Sequence, residues 1–298
     1  MSRLILAVML ILAHFAAQAG LEEGISAYRN GKYEVALKEL QPLAAKGNAV
    51  AQFNLGVMNE LGQGVHQNDQ KAVLRYRQAA EGGYAQAQLK LGILYSKGKG
   101  VPQDDNASAL WLRKAAEQGD ILAQFNLGVL YAKGQGVPQN DMESASWFNK
   151  AAEQGDALAQ FNLGLMYAKG QGVQQDNVAA MKFYWKAAGQ NNLLAQFNLA
   201  QIYREGKLIP RDDNVALFLL RMAAEQGHAL AQFELGIMFE DGEGVEQDLT
   251  QAYKWYGLSE HTVGGEAVKS RESVAAKMKP DEITLAKSWM QDWQEKHK

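Results

Sequence analysis

The chain contains no cysteine, so disulfides, thiolate nucleophiles and thiolate metal ligands are all excluded. Only five prolines occur among 298 residues, too few for a polyproline segment or a proline-rich linker. Neither sign of charge dominates: 30 Lys and Arg stand against 33 Asp and Glu, for a net −3. That balance lacks the basic surplus by which nucleic-acid binders displace counterions, so nucleic acid is not an expected partner. Beyond the first twenty residues no apolar run approaches the roughly 20 residues that span a bilayer. Catalytic signatures are absent too. H-E-x-x-H, G-x-S-x-G and G-x-x-x-x-G-K-[ST] do not occur. His66, His228, His261 and His297 are not at metal-ligand spacing, and no cofactor or metal is expected.

The opening "MSRLILAVMLILAHFAAQAG" differs from everything after it. Arg3 precedes an apolar run from Leu4 to Ala13, and Ala17-Gln18-Ala19 forms an A-x-A cleavage pattern. This reads as a cleaved export signal over residues 1–19, with an uncleaved anchor as the alternative. An exported protein without cysteine fits a bacterial periplasm, with secretion beyond it open.

What the sequence has in abundance is repetition. Gly56, Gly92, Gly128, Gly164 and Gly236 lie on a 36-residue lattice, with Ala200 at the remaining node. Asn68, Asp104, Asn140, Asp176, Asp212 and Asp248 hold the same interval, as do Gly83, Gly119, Gly155, Asn191 and Gly227. Each unit carries two stretches of helical periodicity. The first, as in "DILAQFNLGVLYAKG", is apolar on two faces, as a helix packed between neighbours would be. Paired loop glycines supply positive φ, the Asp/Asn column offers an N-cap to the second helix, and the Gly/Asn column ends it. The mid-helix glycine of "NLG" costs about 1 kcal/mol against alanine, which points to a close backbone approach between the paired helices. One such pair cannot bury both its faces, whereas a stack of them can.

The pattern carried by Ala123, Leu127, Gly128, Tyr131, Gly134, Gly136 and Val137, then Trp147, Lys150, Ala151, Ala152 and Gly155, resembles the Sel1-like repeat, a relative of the tetratricopeptide repeat. The resemblance implies an all-α fold, a right-handed α-solenoid of stacked antiparallel helix pairs. The first helix of each pair would line a concave face. The expected organisation is a signal at 1–19 and a tetratricopeptide-like capping pair at 20–50. Repeats follow at 51–86, 87–122, 123–158, 159–194, 195–230 and 231–265, and a capping helical segment at 266–298. In that last segment Pro280-Asp281 reads as a helix start, with Ile283, Ala286, Met290 and Trp293 as its apolar stripe.

Such proteins act as adaptors, scaffolds and periplasmic regulators, so the resemblance implies a non-catalytic scaffold of the bacterial envelope that holds a protein or peptide in its groove. A secreted or surface host-interaction factor is the alternative. By analogy with the tetratricopeptide groove, Asn54, Asn126, Asn162 and Asn198 should face the partner and pair with an extended peptide. The other reading is that they bond to a neighbouring helix or to water. Lys97, Lys133 and Lys169 would add a basic stripe for an acidic segment or a C-terminal carboxylate, or else form a solvated edge. The phenylalanine column from Phe53 to Phe233 reads as partly exposed core, and Leu208–Pro210 as a degenerate loop or a local docking site. Ser96-Lys97-Gly98-Lys99 satisfies S-x-x-K, the nucleophile motif of penicillin-recognising enzymes, but its S-D-N and K-T-G companions are missing. An enzyme of β-lactam or peptidoglycan chemistry is therefore the reading from another class, set against no enzyme at all.

Overall fold

A computed structural model describes residues 17–206 and 209–297. Most of the expected export signal, residues 1–16, and Leu208 of the fifth loop lie outside the described residues. All regular structure among the described residues is helical. Helix α1 (17–29) pairs in sequence with α2 (Tyr33–Ala45). Six further pairs begin with α3 (Ala49–Leu61) and α4 (Asp69–Glu81), then α5 (Ala85–Lys97) and α6 (Asp105–Glu117). Next come α7 (Ile121–Lys133) with α8 (Asp141–Glu153), and α9 (Ala157–Lys169) with α10 (Asn177–Gly189). The last two are α11 (Leu193–Glu205) with α12 (Asp213–Glu225) and α13 (Ala229–Asp241) with α14 (Leu249–Val263). Two helices outside the repeat close the chain, α15 (Gly265–Ala275) and α16 (Pro280–Lys296).

The boundaries follow from local chemistry. Each second helix of the six opens on the Asp/Asn column: Asp104, for example, accepts from the Ala107 N–H at 2.9 Å. Each first helix ends at a left-handed glycine, from Gly62 to Gly242. Asn191, at φ 62°, is the one non-glycine at positive φ among the described residues, and it fills the node where the other repeats place glycine. The second loop glycine meets backbone. A Cβ on Gly100 would stand 2.7 Å from the Asp69 carbonyl oxygen, so only glycine fits there.

The mid-helix glycine has a different job from the one its position implied. A Cβ on Gly128 would stand 2.8 Å from the Phe148 ring, and one on Gly56 or Gly236 2.7 Å from Tyr76 or Tyr256. It is chiefly a side chain of the second helix, rather than its backbone, that each glycine admits. Leu112 takes this place against Gly92, and Tyr184 against Gly164.

The chain forms two compact units, Met1–Gln154 and Gly155–Lys298, each a stack of antiparallel helix pairs. In the first, Ala36, Leu40, Leu55 and Met58 join the capping pair to the first repeat. Ala17, within the expected cleavage site, packs against that cluster as part of α1. In the second unit one cluster runs from Phe161 to Ala286 and takes in Leu199, Leu220, Leu235 and Tyr256. The stripe of Ile283, Ala286, Met290 and Trp293 on α16 lies against this cluster. Sequence periodicity did not resolve α15, whose eleven residues bury only Ala267 and Val274.

Candidate functional site

The first helices α3, α7, α9 and α11 carry the four asparagines at one register. Each Nδ2 donates to the carbonyl four residues back in its own helix: Asn54 to Val50 (2.8 Å), Asn126 to Leu122 (2.6 Å), Asn162 to Leu158 (2.8 Å) and Asn198 to Leu194 (2.8 Å). No bond to a neighbouring helix is involved. The back-bond fixes each amide on a half-exposed face and leaves Oδ1 without a partner in the helix.

One turn before the asparagines runs a leucine column, where the apolar pattern of the first helix, Leu122 included, had implied packing against a neighbour. Leu122, Leu158, Leu194 and Leu230 are 55%, 49%, 41% and 49% exposed, large apolar side chains left in water at the same point of successive first helices. Their signal was legible: leucine four residues ahead of Asn126, Asn162, Asn198 and Glu234, hence on the same helix face. In the second unit three of these leucines follow one another without interruption. Phe161 and Phe233 are buried in the core and Phe197 is partly exposed beside it; Phe161 meets the Tyr184 ring at 5.9 Å and Phe233 the Tyr256 ring at 5.4 Å.

Where the asparagine column departs from asparagine, the face is closed by charge. Lys90 bonds Glu60 at 2.9 Å, and Lys99 reaches the same carboxylate at 3.3 Å while Tyr76 donates to it at 2.7 Å. Burial alone would raise the Glu60 pKa, but these three donors outweigh it and hold the carboxyl below its ordinary range. In the second unit the same three register positions carry reversed charges. Arg204 pairs with Glu234 and, at 3.0 Å, with Glu243. Arg211 holds Glu243 as well, at 3.0 Å.

Lys97, Lys133 and Lys169 stand in the last turns of α5, α7 and α9, exposed, where they complement the helix dipole. They are brought to one register but not into contact with the asparagines. The S-x-x-K match does not assemble: Ser96 donates to the Ile93 carbonyl at 2.9 Å, and the ammonium of Lys99 faces Glu60 and Asp69. No group of histidines and carboxylates that would hold a metal occurs among the described residues.

A second ladder, buried and missed by the sequence reading, ties the repeats together. Gln88 donates to the Ala80 carbonyl at 3.0 Å and accepts from Gln118 at 2.7 Å; Gln124 does the same with Ala116 and Gln154. Gln196 repeats this in the second unit with Ala188 and Gln226. Each glutamine thus satisfies carbonyls and amides at the ends of the helices on either side of it. The recurring A-Q pair was the available signal.

Comparison with known proteins agrees with this geometry. The Sel1 repeat profile matches residues 49–84, 85–120, 121–156, 157–192, 193–228 and 229–259. A Sel1 repeat protein from Oxalobacter formigenes is similar at 34% identity and a TM-score of 0.73, over 87% of this chain and 76% of its own. The protein c5321, described as a protective antigen present in uropathogenic Escherichia coli strains and displaying an SLR fold, is similar at 26% identity and a TM-score of 0.54, over 96% of this chain and 85% of its own. No curated protein matches the chain. Six matched repeats and the likeness of the whole helical stack make this chain a member of the Sel1 repeat family.

Proposed function

We propose that the chain is a non-catalytic scaffold of the bacterial envelope that binds an extended protein segment along the exposed face of its first helices. Sel1 repeat proteins generally mediate protein–protein interaction. The observation that supports the reading in this chain is the Leu/Asn column of the second unit. Leu158, Leu194 and Leu230 remain exposed beside Asn162 and Asn198, whose oxygens are unengaged by the helix. Exposed leucine offers apolar area, and a fixed amide offers a donor and an acceptor to a passing backbone. Lys169, with no ion pair among the described residues, would favour an acidic segment at the edge of this face. The envelope assignment rests on the leader "MSRLILAVMLILAHFAAQAG" and on the absence of cysteine.

The test is photocrosslinking in the producing cell, with the crosslinking residue at Leu194 or Asn198 and a control at exposed Lys182 on α10. Discrete protein adducts from the first-helix sites alone, in an osmotic-shock fraction, are expected. Adducts only from Lys182, or a cytoplasmic fraction carrying all of the chain, would overturn the binding or the location respectively. A host-interaction role is the second reading, favoured by the likeness to the protective antigen c5321. The same crosslinkers used on culture supernatant mixed with host-cell extract separate the two.

A further inference from the structure

The first repeat breaks the lattice at two aromatic columns at once. Where later repeats carry Tyr95, Tyr131, Tyr167, Tyr203 and Phe239, the first has Asn59; where they carry Trp111, Trp147, Phe183, Leu219 and Trp255, it has Arg75. In a complete repeat these two columns fill one space. Tyr167 and Phe183 stack there with ring centroids 5.7 Å apart, 7° from parallel, and Tyr131 and Trp147 are buried in one cluster.

Removing both rings leaves a pocket of about 520 Å³ between α2, α3 and α4. The corresponding place in the sixth repeat, where Phe239 and Trp255 remain, measures about 370 Å³ and balances Arg221 and Lys254 against Glu225 and Asp248. The first-repeat pocket has no such balance. Lys71, Arg75 and His66 line it together with Asn59 and Gln41, and no carboxylate does. Its remaining wall is aliphatic, made by Leu37, Leu55, Val65 and Leu74. Arg75 uses one nitrogen on Gln78 at 3.2 Å, which leaves most of its fork unengaged. Asn59 donates to the Leu55 carbonyl at 2.6 Å, which fixes its amide at the pocket wall.

We propose that this pocket is a binding site for an aliphatic carboxylate, with Lys71 and Arg75 holding the anion and the leucine-lined wall taking the hydrocarbon part. The volume lies in the range of small-ligand sites, roughly 300–1,000 Å³. A guanidinium fork matches a carboxylate bidentately and an ammonium adds point charge. The same chemistry has two sources, a free organic acid or the last residue of a peptide. The site lies in the first unit, between α2, α3 and α4, shares no residue with the Leu/Asn column, and stands or falls independently of it.

The test is titration calorimetry on the whole protein with N-acetyl-L-leucine, its amide, and a tetrapeptide ending in leucine with a free carboxylate. The acid is expected to bind saturably and the amide at least about tenfold more weakly, the scale of one charge-assisted hydrogen bond. The double variant Asn59→Tyr, Arg75→Trp restores the residues of the other repeats, so it should fold while losing binding. Should it fail to fold, Arg75→Gln and Lys71→Gln each are expected to weaken the acid about tenfold, while Lys182→Gln, on α10 and outside the pocket, leaves it unchanged. Tighter binding of the tetrapeptide than of N-acetyl-L-leucine assigns the site to peptide ends; equal binding assigns it to free acids. No saturable binding, equal affinity for acid and amide, or full binding by the folded double variant would overturn the proposal.

Discussion

At the start of α13 the capping acceptor is an imidazole, where the neighbouring first helices carry Asp120, Asp156 or Asn192. His228 Nδ1 accepts from the Ala231 N–H at 3.1 Å, so its proton sits on Nε2, and the Phe197 ring lies 4.8 Å away. Burial lowers the pKa below the ordinary histidine value. The unfolded chain therefore takes up a proton first as the pH falls below about 6.5. The cap's stabilisation is complete above that pH and is lost as the pH falls toward the folded pKa. His228→Asp should raise stability at pH 6 by about 0.5–2 kcal/mol and flatten this part of the pH profile. Thermal melts between pH 7.5 and 5.5 check it, and an unchanged slope would contradict the assignment. The glycine column makes a second residue-level case. Gly128→Ala gains about 1 kcal/mol of helix propensity, yet drives a methyl into the Phe148 ring, an overpacking cost of about 1–3 kcal/mol. Urea denaturation should show a net loss.

Between elements, the buried glutamines and the charge interlocks do the joining. Gln124→Leu removes the donor to the buried Ala116 carbonyl and the acceptor for Gln154, whose own amide is exposed. The Gly119 N–H still meets the Ala116 carbonyl and Gln154 still reaches the Gly119 carbonyl, so the loss is that of the bonds themselves, about 0.5–1.5 kcal/mol each, and the urea midpoint should fall accordingly. The interlock at Glu60 should be sensitive to acid. Its folded pKa is depressed, so its stabilisation is present above the unfolded carboxylate value near 4.3 and lost as the pH falls through the folded pKa. Glu60→Gln should lower the melting temperature at pH 7 and show a shallower decline than the parent below about pH 4.5. Parallel declines would mean that other carboxylates carry the acid sensitivity.

On the scale of the whole chain, stacked repeats exchange stability with their nearest neighbours. Ending the chain at Lys279 removes α16, with Ile283, Met290 and Trp293 of the second unit's core and the Trp293 bond to Glu225 at 2.9 Å. The loss should be roughly 2–4 kcal/mol from the apolar area re-exposed. Amide exchange should accelerate in α12 to α15 and remain as it was in α3 to α6. Uniform acceleration along the chain would show that the two compact units unfold as one.

The 36-residue lattice alone determined the helix pairs, their caps and their left-handed terminators, because these depend on residues close in sequence. Asn68 caps α4 and Asn191 turns left-handed for reasons contained within a few residues of each. The candidate surface was only half legible. Asparagine at one register was plain in the sequence, but its back-bond to its own helix and the exposure of Leu158, Leu194 and Leu230 depend on what packs around them. Tertiary structure alone decided that Gly128 admits the Phe148 ring and that Lys90 answers Glu60. It also decided that Asn59 and Arg75 leave a basic pocket where other repeats are filled. The physical reason is range. Caps and turns are settled by the nearest backbone, whereas burial and charge pairing are settled by whichever residue of the next helix or the next repeat arrives in the same space.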